Sequence, residues 1–243
     1  MQLIHPRRLS VPWRSPVAVA RHLASDWSDA GMVWLDGDGS AQGRWLTLAT
    51  EPLESHCCRG GPGDAGARNP FTTLRQLGPG HWCGWLSYEA AAWTESGNPW
   101  RADAMACLWI ARHDPVLRFD LKEQTLWIEA SDPKRLDQMA SWLALITAPS
   151  DDPPASIGIT ADQWHWHSDR SAFAGGVQRI REWIASGDLF QANLTACCST
   201  PWPEQHSALD LFLRLRQHCP APFGGLLIGD GEANGEAVLS TSP

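Results

Sequence analysis

The stretch GDLFQANLT, residues 187–195, sets two carboxamides, Gln191 and Asn193, among apolar neighbours. In an extended strand they share one face with Leu189 and Thr195. A buried carboxamide must have its donors and acceptors matched, so this face implies either an internal polar network or a ligand. Downstream, CPAPFGGLLIGD combines a Pro-Ala-Pro turn, an aromatic residue and two glycines at which backbone can approach a ligand closely. A loop entering a strand explains the same residues. Arg44, in QGRWLTLATEP, is of the type that holds a carboxylate through two parallel hydrogen bonds; a solvated arginine on a hairpin is the plain alternative.

Metal chemistry finds little support. WHWH at 164–167 puts His165 and His167 on one strand face, without a third ligand nearby. His56, Cys57 and Cys58 lack zinc-site spacing and read as buried thiols. Neither a phosphate-cradling Gly-rich loop nor a zinc-protease or nucleophile-elbow motif occurs. The only lysines are Lys122 and Lys134.

These residues must be positioned by a mixture of helices and strands. Val17, Ala20, Leu23 and Trp27 fall at helical spacing, with Ser15 before Pro16 as the start. GMVWLDGDG reads as a strand entering a tight turn, and GRWLTLATEP as its returning partner. CCRGGPGDAGARNP reads as a mobile Gly/Pro loop and FTTLRQLG as a short helix. HWCGWLSYEAAAWTE is a strand breaking into a polar end, followed by a Pro-containing loop. MACLWIARHDPVLRFD and TLWIEAS are strand-like runs joined through LKEQ. In PKRLDQMASWLALIT, Leu136, Met139, Trp142, Leu143 and Ile146 line one helix face.

The Pro/Asp/Ser-rich segment 148–163 reads as a linker between an N-terminal region, 1–147, and a second region, 164–243. There Ser168 is the expected cap of a helix whose face carries Phe173, Val177, Ile180 and Ile184, and Gly187 stops it. LFQANLTACCST is expected as a strand, SALDLFLRLRQH as a helix, and FGGLLIGD with EAVLSTSP as a hairpin. The order is α+β, a two-layer sandwich with antiparallel sheets, and it reads as incomplete at the C-terminus.

Composition narrows the partners. The 243 residues are 43% hydrophobic and 19% charged, as in a globular protein, and carry a formal charge of −8. That balance argues against nucleic acid, whose phosphates require a basic face. No apolar run reaches the ~18 residues of a membrane span. The N-terminus lacks a secretory apolar segment, so the expected location is cytoplasmic. Seven cysteines without CxxC spacing give no disulfide framework.

The runs IREWIASGDLFQANLT, PAPFGGLLIG and AVLSTSP, with WLDGDGSAQGRWLTLATEP and CGWLSYEAAAWTE before them, resemble the chorismate-utilising enzymes. The resemblance is to component I of aminodeoxychorismate synthase and of anthranilate synthase. It implies an anthranilate-synthase-like fold and a chorismate pocket walled by Gln191 and Asn193. Members that add water to chorismate have a lysine at the position of Gln191, because water needs a general base; ammonia attacks as the neutral amine. Gln191 thus implies the amine-adding branch, aminodeoxychorismate synthesis for 4-aminobenzoate and folate, with anthranilate synthesis as the alternative.

The same resemblance implies a tryptophan pocket lined by Asp36, Gln42, Gly43, Arg44, Trp45, Pro222, Phe223 and Gly224. It further implies magnesium, with ligands outside this chain, and a glutamine amidotransferase partner. In the family a catalytic glutamate follows the position of Pro243 and the lysine nucleophile comes later still. No catalytic residue is therefore expected in this chain, which would be inactive alone; a non-catalytic module binding tryptophan or the amidotransferase is the remaining reading.

Overall fold

The computed structural model describes residues 6–95, 104–146 and 156–243. The Pro-containing loop after residue 95 and the first half of the expected linker lie outside the described residues. Two compact units result. One comprises residues before 155 together with Ala208–Pro243; the other lies within Ala155–Ser207.

The larger unit runs β1 (Arg7–Val11), α1 (Pro16–Asp26), β2 (Val33–Leu35), β3 (Trp45–Ala49), β4 (Glu54–Cys58), α2 (Pro70–Gln76), β5 (His81–Leu86), β6 (Leu108–His113), β7 (Val116–Asp120), β8 (Thr125–Ala130) and α3 (Pro133–Leu145). In the smaller unit are β9 (His165–Trp166), α4 (Arg170–Ser186) and β10 (Cys198–Ser199). The chain then returns to the larger unit with α5 (Ala208–His218), β11 (Phe223–Ile228) and β12 (Ala237–Ser242).

Seven antiparallel strands form one sheet in the order β1-β8-β7-β3-β2-β11-β12. Alternation along each strand aligns Leu9, Ile128, Leu117, Leu48, Trp34, Leu226 and Leu239 in one apolar row across all seven. Helices cover that face: Val19 and Leu23 of α1, Leu136, Met139 and Leu143 of α3, and Leu209, Phe212 and Leu213 of α5 share its core. On the opposite face, Val33, Leu227 and Val238 pack with Cys57, Trp85, Trp109 and Ala111 of a three-stranded sheet, β4-β6-β5. This is the expected mixture of helices and antiparallel sheets, with the small sheet as a further layer.

Three differences from the sequence reading follow from strand pairing. The hairpin β11–β12 and α5, grouped in sequence with 164–207, complete the sheet of the first region, because β11 pairs with β2. The run MACLWIARHDPVLRFD is two strands in two sheets, divided at the cis Asp114–Pro115 bond; proline has no N–H to keep a ladder running. β1 and β4 were not expected. β1 is an edge strand blunted by Arg7 and Arg8, and β4 occupies the start of the supposed loop. That loop is pinned: Arg59 donates to the Ala104 and Glu232 carbonyls and pairs with Glu236, and Arg68 pairs with Glu232 at 2.6 Å.

In the smaller unit, α4 is capped by Asp169, not Ser168: its Oδ1 accepts from the Ala172 N–H at 2.7 Å. Gly187, at φ 83°, ends it in the left-handed conformation that favours glycine. Residues 189–196 are not a strand. Only Cys198 and Ser199 find a partner, in β9, and without a ladder the preceding residues cannot form one. No helix among the described residues is long and apolar enough to cross a membrane.

Candidate functional site

The β2–β3 connection, α5 and the start of β11 meet in the larger unit. Asp36 follows β2 and continues its pairing, donating its N–H to the Gly224 carbonyl at 2.8 Å. Alternation from Trp34 turns its side chain to the helix-covered face, where it is 8% exposed. A carboxylate there must be fully hydrogen-bonded. Oδ1 accepts from Trp34 Nε1 at 3.0 Å, and Oδ2 from Arg216 Nε at 2.7 Å. The guanidinium also lies 5.5 Å from the centre of the Trp34 ring.

Sequence reasoning missed Arg216, although a signal was present. Leu209, Phe212, Leu213 and Arg216 fall at three- and four-residue spacing, so the arginine continues the buried stripe of α5. Such a charge needs a buried counter-charge. Beside the ion pair is a cavity of about 160 Å³ lined by Asp36, Gly37, Asp38, Arg216, Pro220 and Ala221. Gly43 closes the hairpin tip: a Cβ there would stand 2.7 Å from Pro222 Cα and collide with Asp38.

Of the expected tryptophan-pocket residues, the structure gathers Asp36, Gly43, Pro222 and Gly224. Gln42 is exposed. Arg44 does hold a carboxylate with two nitrogens, but that of Asp120: Nε donates to Oδ1 at 2.9 Å and Nη2 to Oδ2. This bond, with the backbone N–H groups of Lys122 and Glu123, draws the Asp120 carboxyl down to about 2. Trp45 is 55% exposed and meets Trp127 edge-to-face at 5.9 Å, while Phe223 is also exposed.

Gln191 and Asn193 lie in the smaller unit, both exposed, in the unpaired stretch after Gly187. The structure gives them neither the strand nor the buried network that one reading required. His165 and His167 have ring centres 5.2 Å apart, and His167 Nε2 meets Ser199 Oγ at 3.0 Å. Among the described residues no three His, Cys, Asp or Glu side chains converge as a metal set. All seven cysteines are free, and burial pushes the Cys107 thiol up to about 11, far from a reactive thiolate.

Against known families, residues 33–243 match the model described as chorismate binding enzyme. The chain belongs to this family. Its relatives include an anthranilate synthase component I-like protein of Synechocystis, 27% identical over 59% of this chain and 29% of the relative. Anthranilate synthase component 1 1 of Haloarcula marismortui is 31% identical over 66% of this chain and 35% of its own length. Aminodeoxychorismate synthase component 1 of Bacillus subtilis is 26% identical over 58% and 31%. The chain thus spans about a third of the length of these relatives. The crystal structure of anthranilate synthase component I from Streptococcus pneumoniae shares the fold, with a TM-score of 0.53 and 19% identity over 76% of this chain and 50% of that one.

Proposed function

We propose that this chain is the N-terminal portion of aminodeoxychorismate synthase component I. The reaction is chorismate plus ammonia to 4-amino-4-deoxychorismate plus water, the amine replacing a ring hydroxyl. The observation that carries the reading is Gln191 in GDLFQANLT, where the water-adding members have lysine. A carboxamide does not titrate, so it can orient a nucleophile but cannot deprotonate one. Ammonia needs no base, and water does. Ammonia would come from a glutamine amidotransferase subunit, and magnesium would be bound by residues outside this chain. The relatives bear both names, so anthranilate synthesis is the competing product of the same family.

The reading is tested with Gln191→Lys in the enzyme containing this chain. Loss of the amino product, with appearance of a hydroxylated one, is the expected result. Unchanged amino product would overturn the role of Gln191.

A second reading rests on the cavity at Asp36. Arg216 and Asp38 both line it, residue types suited to an amino acid's carboxylate and ammonium. The cavity is therefore proposed as a regulatory site for tryptophan, which would raise the melting temperature as it binds. No shift at millimolar tryptophan would reject it.

A further inference from the structure

His113 ends β6, at the corner where the chain leaves the three-stranded sheet for β7 in the seven-stranded one. Its side chain is 1% exposed, and the proposed chemistry does not use it. Nε2 lies 2.8 Å from the carbonyl oxygen of Gly31, in the turn before β2. A carbonyl only accepts, so Nε2 carries the ring's proton and Nδ1 a bare lone pair. Nδ1 is buried without a hydrogen-bond partner. A proton added there would put a charge in a buried site, where the Ala111 backbone carbonyl favours it but burial outweighs that help.

The neighbours do not rescue that charge. Asp230, in the connection from β11 to β12, favours protonation, but its Oδ1 already accepts from Trp109 Nε1 at 2.9 Å. His81 on β5, directly opposite His113 in the ladder, opposes it. Burial is the largest influence and holds the imidazole below the ordinary histidine range.

We propose that His113 is an acid-sensitive latch between the two sheets. On protonation the ring leaves its site, the Gly31 carbonyl loses its donor, and the junction of β2 with the β6–β7 corner opens. β2 runs from that junction to Asp36, so the opening also loosens the strand that carries the buried carboxylate. The fold accepts the neutral ring. Stability is therefore complete above the free-histidine value of about 6.5. It is lost as pH falls below that value, by about tenfold in the folded-to-unfolded ratio per pH unit for this one proton.

The test compares urea denaturation of the wild-type chain and His113→Gln from about pH 8 to about pH 5. Glutamine can donate an amide N–H to Gly31 and does not titrate. The wild type should lose about tenfold more per pH unit below 6.5 than the variant; parallel curves overturn the latch. The protection factor of the Ile228 amide, which donates to the Met32 carbonyl at 2.9 Å, should fall in acid only in the wild type. Should the variant fail to fold, NMR titration of the wild-type imidazoles decides: a folded-state value for His113 at or above 6.5 contradicts the proposal, and a ring neutral until unfolding supports it.

Discussion

Arg216 Nε donates to Asp36 Oδ2 at 2.7 Å, joining residues 180 apart in sequence. This ion pair ties α5 to the end of β2 and sets one wall of the adjoining cavity. Breaking a buried pair by removing one partner costs about 3–5 kcal/mol. Arg216 is partly open to solvent, so Arg216→Met is expected to cost about 2–3 kcal/mol, at or just below the bottom of that range. Adding Asp36→Asn should recover part of the loss, since the uncompensated charge is then gone. Urea denaturation of the single and double variants checks both.

Asp120 gives an acid-side prediction of opposite chemistry to His113. Its carboxyl is held at about 2, below the usual 3.8, chiefly by Arg44. A depressed acid supports the fold above the unfolded value, and that support is lost as pH falls from about 3.8 through about 2. Thermal melts over this window should fall more steeply for the wild type than for Asp120→Asn. The variant should be less stable at neutral pH, where Arg44 has lost its bidentate partner.

Gly43 tests the contact between the hairpin and residue 222. The added methyl of Gly43→Ala would meet Pro222 and Asp38, and overpacking of this kind costs about 1–3 kcal/mol. Gly61→Ala is the control: its Cβ meets nothing closer than Asp64 at 3.6 Å. Chemical denaturation should separate the two.

The cap of α4 gives a fourth. Asp169→Ala removes the acceptor of the Ala172 N–H and should cost about 1 kcal/mol of helix stability. Ser168→Ala should cost much less. Circular dichroism across a denaturant series compares them.

Much of this was legible in sequence. The apolar spacings of α1, α3 and α4 and the turn chemistry around β2–β3 and β11–β12 identified those elements, because helix period and turn residues are local properties. Partners are not local. The alternation in LFQANLT correctly describes a two-faced segment, but nothing in it says whether another strand pairs with it, and none does. β1 was hidden because an edge strand can carry two arginines. Of the pocket residues that the resemblance implied, Asp36 lines the cavity beside Arg216, while Gly224 accepts from the Asp36 N–H and Gly43 abuts Pro222. Arg44 was read as a holder of some carboxylate, and Asp120, its partner here, could not be named because it lies 76 residues away.

The central claim is the proposed conversion of chorismate and ammonia to 4-amino-4-deoxychorismate by the enzyme that contains this chain. The most direct measurement supplies that enzyme with chorismate, ammonia and magnesium and identifies the product by chromatography and mass. The account predicts 4-amino-4-deoxychorismate, formed in proportion to ammonia. Anthranilate, or a hydroxylated product indifferent to ammonia, would contradict it.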